Sequence, residues 1–137
     1  MISKFSLDFD EAAQVLTRCI EAAAQAGAAV SVAVVDDAGH LLRFARMDGA
    51  RAFTVDLASR KARVACSVGL GTTVVTEASR GSPIAVEAAV GAGGVPIPGP
   101  DQLPIGAVGV SGAPAEIDDL IAEAGASWAG AALASGR

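Results

Sequence analysis

The chain is poor in the side chains that build most metal and catalytic centres. Its 137 residues include one histidine, two cysteines and no tyrosine, and aromatic residues make up 4% of the total. A single histidine excludes a multi-histidine zinc site and the H-E-x-x-H motif of metalloproteases. The two cysteines, Cys19 and Cys66, form no C-x-x-C pair, so we expect two free, buried thiols.

Positive charge and long apolar runs are also scarce. The net charge is −5 and no run of lysine and arginine is present, which argues against a nucleic-acid partner. No uninterrupted apolar run reaches ~18 residues, so no membrane-spanning helix is predicted. The first ten residues are polar and acidic rather than basic and then apolar. We therefore expect no signal peptide and a cytoplasmic location.

What the chain does contain is a large fraction of small apolar residues. Hydrophobic residues make up 52% of the sequence and 16 residues are glycine, a composition typical of a folded globular protein. The length suits one domain, residues 1–137. Small side chains supply little apolar mass each, so we expect self-association to complete the burial of apolar surface.

The hydrophobic periodicity predicts the element order α-ββ-α-(short α)-ββ-α. The predicted elements are a helix ending at Gly27, strands at 29–35 and 40–46, a helix at 50–68, short helices at 72–79 and 82–90, strands at 95–98 and 103–110, and a helix after Pro114. Paired hairpins, unlike repeated βαβ units, indicate an antiparallel sheet. We therefore predict an α+β fold with two hairpins and flanking helices.

The second helix carries a lysine on its apolar side. A helical period places a set of apolar residues on one arc. The set is Phe53, Leu57, Val64 and Val68, extended by Ala58, Ala62, Ala65 and Cys66. Lys61 projects from the middle of this arc. Burying an unpaired ammonium group is costly, so Lys61 needs a carboxylate, a ligand or a solvated pocket. A structural ion pair with Asp48 or Asp36 and a role in a pocket both stay open.

The glycine-rich segment Gly106–Gly112 admits two interpretations. It lacks the Gly-Lys-Ser/Thr of a phosphate-binding loop, and no parallel βαβ unit surrounds it. The first interpretation, which we favour, is that its glycines let packed elements or subunits approach closely. The second is a surface on which a flat ligand lies against bare backbone, with Gly109 and Ser111 as ligand contacts.

Two further side chains are candidates for ligand chemistry. His40 is the only side chain that titrates near neutral pH and the only strong nitrogen ligand for iron. Arg46 has a planar guanidinium that can clamp a carboxylate, although it could simply pair with Asp48. Asp36 is a further candidate ligand contact, but its position at a turn makes backbone capping the commoner role.

Several sequence blocks together resemble the GlcG/HbpS family, which includes the C-terminal domain of PduO-type proteins. The blocks are V-V-D-D-A-G-H-L-L (34–42), R-M-D-G-A (46–50), Lys61-Ala62, G-G-V-P-I (93–97), I-G-A-V-G-V-S-G (105–112), Asp118-Asp119 and Ala124-Gly125. They occur in family order and span nearly the whole chain. The resemblance implies a profilin-like fold and homo-oligomers of up to eight subunits.

The same resemblance implies haem, or a related ligand, as a cofactor. Haem-binding members take an axial histidine from the N-terminal helical region, whereas the first predicted helix here contains no histidine. Either His40 or Cys19 replaces that ligand, or this chain does not bind haem in the same way.

Three hypotheses for the function follow. The first is a homo-oligomeric binding protein that holds haem or another flat anionic metabolite, between the sheet and the second helix or at a subunit interface. Arg46 and Lys61 would then meet the carboxylates. The second is a cofactor-independent isomerase, cyclase or lyase acting on a small carbonyl or carboxylate metabolite, with Lys61 and His40 as acid–base groups and Asp48 moving protons. The third is a structural module without a ligand.

Overall fold

The computed structural model describes residues 1–82 and 87–136 and contains one four-stranded antiparallel sheet. Its helices and strands are α1 (Phe9–Gln25), β1 (Ser31–Asp36), β2 (Leu41–Arg46), α2 (Phe53–Val68), α3 (Thr72–Ala78), β3 (Gly94–Pro98), β4 (Pro104–Ser111) and α4 (Ala115–Ala134). The strand order is β2-β1-β4-β3, so β1 and β4 are central and β2 and β3 are the edges. The predicted α+β class and the two hairpins are confirmed.

The predicted short helix at 82–90 falls partly on residues 83–86, which lie outside the described residues. Of the helices in the described part of the chain, none combines the length and apolar character needed to cross a bilayer.

One face of the sheet is covered by α1 and α4. Helix α1 begins with a capping box, in which Asp8 accepts a hydrogen bond from the Glu11 amide and the Glu11 side chain accepts one from the Asp8 amide. This arrangement satisfies two amides that a helix start otherwise leaves unpaired. The apolar residues of both helices and of the facing strands form the main core. Fully buried examples are Val15, Val32, Val108, Ile97 and Ile121.

The other face is covered by α2 through a much thinner layer. Its buried apolar residues are Ala33, Val35, Ala58, Ala62, Ala65, Cys66 and Ala107. At Gly109 of β4 the two backbones nearly touch, since an added Cβ would overlap with the carbonyl oxygen of Ala58 and lie 2.6 Å from the amide nitrogen of Ala62. The close-approach interpretation of the glycine-rich strand therefore holds at Gly109. This contact leaves no room for a flat ligand between β4 and α2.

The predicted orientation of α2 is wrong, and the close approach at Gly109 explains why. Phe53 is 62% exposed and Val68 is 48% exposed, and Leu57 and Val64 are half-buried. The residues that face inward are instead the small ones, together with Thr54 and Lys61. Only small side chains fit against Gly109, so the helix turns its alanine side to the sheet and its large apolar side chains outward.

We expect Gly109→Ala to destabilise the protein by about 1–3 kcal/mol or more, because its methyl group would force the two backbones apart. Urea unfolding would measure the loss. Gly130→Ala is the matched control, since no atom lies within 4 Å of an added Cβ at that helical position. The control should be neutral or stabilising by up to ~1 kcal/mol, and equal stability of the two variants would contradict the close-packing argument.

Candidate functional site

The buried lysine of α2 forms an ion pair with α4. Lys61 is 4% exposed, and so is Asp118. The Lys61 Nζ lies 3.3 Å from Oδ2 of Asp118 and donates a hydrogen bond of 2.9 Å to the carbonyl oxygen of Val110. The other carboxylate oxygen of Asp118 accepts a 3.0 Å hydrogen bond from the amide of Ala113. The pair thus links the helix on one face of the sheet to a helix on the other face.

The predicted partners of Lys61, Asp48 and Asp36, are both wrong. Asp48 is exposed in the loop before α2. Asp36 lies at the turn of the first hairpin, where its Oδ1 accepts hydrogen bonds from the amides of Ala38 and His40 at 3.0 and 2.9 Å. Of the three surroundings expected for Lys61, a carboxylate, a ligand or a solvated pocket, the structure shows a carboxylate. The capping role of Asp36 at its turn is confirmed.

Two consecutive glycines, Gly93 and Gly94, leave room for the Lys61 side chain to pass the end of the sheet. Gly93 has a φ of 109°, and an added Cβ would lie 3.2 Å from Nζ of Lys61. The amide of Gly93 donates to Asp119 at 2.7 Å, and the amide of Gly94 donates to the hydroxyl of Thr72 at 2.8 Å. A Cβ at Gly93 would crowd the Lys61 ammonium, and one at Gly94 would overlap with the Thr72 side chain and the backbone carbonyl of Lys61.

The surroundings of the ion pair define what it can do chemically. Burial raises the pKa of the Asp118 carboxyl, and the Ala113 amide and the Lys61 ammonium oppose this effect. The Lys61 ammonium is enclosed by a carbonyl and a carboxylate. This geometry is typical of an ion pair that holds two helices together rather than of an amine presented to a substrate.

A pocket of about 470 Å³ opens at the end of the sheet where three connections meet. We call it the Gly112 pocket. Its lining residues are Ala26, Gly27, Ala28, Ala29, Gly49, Arg51, Phe53, Thr54, Gly112, Ala113, Pro114 and Ile117. Gly112 itself has a φ of 134°, and an added Cβ would lie 2.7 Å from the carbonyl oxygen of Ala29. Its size is within the range of small-molecule sites.

The chemistry of the Gly112 pocket combines an aromatic ring, a cation and bare backbone. Phe53 exposes most of its side chain here, and Arg51 is exposed beside it. The N-terminus of α4 also reaches the pocket, and its N-cap residue Pro114 makes no side-chain capping bond. An arginine favours carboxylate or other anionic groups, whereas the first turn of α4 already carries the carboxylates of Glu116 and Asp118.

The fold separates the sequence-predicted site residues into two groups. Arg46 and Ser111 both pair with Ser31, so they lie at the same end of the sheet as the Gly112 pocket. Asp48 follows Arg46 in the adjoining loop. His40 lies beyond the other end of β2 and pairs its carbonyl with the amide of Asp36 at 2.9 Å. A six-residue strand spans roughly 20 Å, so His40 cannot act together with Arg46.

Sequence reasoning missed Arg51 and Phe53. Phe53 was assigned to the core because it follows the helical period of α2, and Arg51 belongs to no periodic pattern. The one available signal was the R-M-D-G-A segment that precedes them, whose Gly49 has a φ of 91°. A glycine turn there ends β2 and directs the chain into the pocket wall.

The residues that could hold haem iron do not fit this pocket. Cys19 is fully buried, and desolvation raises the pKa of its thiol to about 12, so it is neither accessible nor deprotonated. His40 is exposed but lies at the opposite end of β2. Within residues 1–82 and 87–136, no three histidine, cysteine, aspartate or glutamate side chains are grouped to bind a metal ion.

A larger groove of about 750 Å³ runs between α3, β3 and α4. Glu116, Asp119 and Glu123 line one of its walls, and Val95 and Pro96 belong to the edge strand. Three carboxylates repel an anionic ligand, so this groove suits the predicted ligand class less well than the Gly112 pocket does.

The four-stranded sheet with two helices on one face and one on the other defines an α+β fold that several solved structures share. The chain belongs to the HbpS-like family (haem-degrading protein HbpS-like), whose model matches residues 7–127. Protein ORFY of Klebsiella pneumoniae is 29% identical, with 96% of this chain and 95% of that chain covered and a TM-score of 0.87.

Two further solved structures are also similar. A double mutant of Streptomyces reticuli HbpS is 32% identical, with 93% of this chain and 90% of that chain covered and a TM-score of 0.87. A complex of PduOC with haem is 25% identical, with 89% and 94% covered and a TM-score of 0.79. No curated protein sequence matches the chain.

We expect Lys61→Met and Asp118→Asn each to lower the free energy of unfolding by about 3–5 kcal/mol, because each leaves a buried group without its partner. The double variant should lose less than the sum of the two single losses, since it removes both halves of the pair together. Urea unfolding of the four proteins measures this coupling. Strictly additive losses would show that the two groups do not depend on each other.

Proposed function

We propose that this protein is a cytoplasmic, homo-oligomeric small-ligand-binding protein. Its Gly112 pocket would hold a flat, carboxylate-bearing ligand of the class to which haem belongs. The observation that carries the proposal is the meeting of Arg51, Phe53 and glycine backbone around one cavity of about 470 Å³. Membership of the HbpS-like family and the similarity to the PduOC haem complex support the same ligand class.

In this proposal each part of the pocket recognises one part of the ligand. The Arg51 guanidinium binds a carboxylate through charge-assisted hydrogen bonds. The Phe53 ring stacks on the flat apolar body of the ligand. The glycines at 27, 49 and 112 add no side chain, so a flat molecule can lie against the backbone. Arg46, at the same end of the sheet, is a candidate for a second carboxylate.

Binding in the Gly112 pocket does not depend on a side chain that ligates iron, because the pocket offers no histidine, cysteine or methionine side chain. If haem is the ligand, its carboxylates and ring would supply the recognition. His40 then stays a candidate iron ligand only for a haem bound at the other end of β2.

The alternative of an enzyme built on Lys61, His40 and Asp48 gains no support from the geometry. Lys61 is held by Asp118 and Val110, and His40 and Asp48 are exposed on either side of β2. An acid–base mechanism needs its groups within hydrogen-bond reach of one substrate. We therefore place ligand binding ahead of catalysis.

Titration with haemin and with metal-free protoporphyrin, followed by visible absorption and fluorescence, tests the proposal. We expect saturable binding of both probes. Arg51→Ala should weaken binding about 10- to 100-fold, the effect of one lost hydrogen bond to a charged group. Phe53→Ala should weaken it as well, because the ring no longer covers the ligand.

Arg80→Ala and Phe5→Ala are the matched controls, since both residues are exposed and neither lines the Gly112 pocket. Unchanged affinity in both pocket variants would refute the site. A sharp Soret change with haemin that His40→Ala abolishes and Cys19→Ala preserves would instead place haem at His40.

A further inference from the structure

The groove of about 750 Å³ between α3, β3 and α4 exposes apolar side chains. Leu120 of α4 is 59% exposed and Val74 of α3 is 55% exposed. Val95 and Pro96 of the edge strand line the same groove, which we call the Leu120 groove. Its volume is within the range of small-molecule sites. The groove can therefore hold the apolar body of a ligand, and not only a single ion.

The wall formed by α4 adds carboxylates to this apolar surface. Glu116, Asp119, Leu120 and Glu123 are separated by helical spacings, so they lie on one face of α4. Glu116 and Glu123 are exposed, and their backbone positions lie roughly 10 Å apart along the helix axis. Leu120 lies between them. The wall therefore carries negative charge at both ends and an apolar side chain near its middle.

Asp119 is held in this wall by two hydrogen bonds. Its Oδ2 accepts from the hydroxyl of Thr73 at 2.6 Å, and its Oδ1 accepts from the amide of Gly93 at 2.7 Å. These bonds join α4 to α3 and to the residue before β3, so the three sides of the groove keep one relative position. Each carboxylate oxygen has a lone pair left for a further donor.

The outer edge of β3 contributes hydrogen-bond acceptors without matching donors. The carbonyl of Gly93 accepts from the amide of Val110 of β4 at 2.8 Å, so by alternation the carbonyls of Gly94 and Pro96 are directed away from β4. The amide of Gly94 already donates to Thr72, and Pro96 has no amide hydrogen. This side of the groove therefore suits a ligand that donates hydrogen bonds.

We propose that the Leu120 groove binds a linear aliphatic polyamine, a ligand with ammonium groups at both ends of a methylene chain. An ammonium group is a pure donor, which matches the carboxylates of α4 and the carbonyls of β3. One ammonium group would pair with Glu116 and another with Glu123. The methylene chain between them would cover Leu120 and Val74, so charge and apolar surface select the same ligand.

The Leu120 groove is unfavourable for an anionic ligand. None of its lining residues is lysine, arginine or histidine. Among the lining side chains, the amide of Gln102 is the one donor besides the Thr73 hydroxyl, which already donates to Asp119. The positive end of a helix dipole attracts anions, but Glu116 and Asp118 already occupy the first turn of α4.

A metal ion suits the groove less well than a polyamine does. Within residues 1–82 and 87–136, no acidic, histidine or cysteine side chains form a group of three that could hold one. A metal ion would also leave the apolar side chains of the groove in contact with water. The burial of that apolar surface is a gain that only a ligand with a hydrocarbon chain obtains.

Isothermal titration calorimetry with spermidine tests the proposal, in salt of about 0.15 M that screens distant surface charges. We expect saturable binding of one molecule per chain. Glu116→Gln and Glu123→Gln should each weaken binding about 2- to 5-fold, the effect of one exposed ion pair. Leu120→Ser should weaken it as well, because the methylene chain loses its apolar contact. Circular dichroism checks that these exposed substitutions preserve the fold.

Glu21→Gln is the matched control, since it removes the same charge from an exposed position of α1 that does not line the groove. It should bind spermidine like the wild type. Propylamine and Mg²⁺ separate the ligand classes, because the first carries one ammonium group and the second has no hydrocarbon chain. Both should bind more weakly than spermidine.

Three results would overturn the proposal. They are the absence of saturable binding, an equal loss of affinity in Glu21→Gln and Glu123→Gln, and Mg²⁺ that displaces spermidine as effectively as spermidine itself. Arg51→Ala should leave spermidine binding unchanged, because Arg51 lines the Gly112 pocket and not this groove. Loss of haemin binding in that variant and loss of spermidine binding in the α4 variants are therefore independent outcomes.

Discussion

The ion pair between Lys61 and Asp118 is the constraint on which the arrangement of this protein depends. The sheet separates α2 from α4, and direct packing cannot fix the position of one helix relative to the other. The pair does so around the end of β4, with the Val110 carbonyl as a third partner. A buried charge pair of this kind adds little net stability compared with apolar packing. It does require one relative position of the two helices, since any other leaves a charge unpaired.

The Gly112 pocket follows from that constraint. Asp118 also accepts from the Ala113 amide, so the same carboxylate that holds Lys61 fixes the connection between β4 and α4. That connection forms one wall of the pocket, and the loop from β2 to α2 forms another. The position of the Gly112 connection relative to α2 is therefore constrained by the same ion pair. Rigid support of this kind is what a binding site needs in order to be preorganised.

The sequence allowed the hairpins, the main helices and the need of Lys61 for a compensating partner to be predicted, because these depend on local patterns. Turn residues between β-branched runs predict hairpins, and a lysine on an apolar arc predicts a partner. The identity of that partner could not be predicted, because Asp118 lies 57 positions away and the helical period carries no information about what faces it. The orientation of α2 was also wrong, since hydrophobicity favours large residues inside. The bare backbone of Gly109 reversed this preference.

The two edges of the sheet also bear on how the protein behaves at high concentration. A sheet that can add strands at both edges can grow without limit, which is the geometry of fibres. Here Pro96, Pro98 and the hydrogen bond from Gly94 to Thr72 close one edge. Any growth by strand addition must therefore start at the other edge and stop once that edge is covered. The prolines of β3 thus act as a terminator, so that any assembly through the sheet would end in a closed particle rather than a polymer.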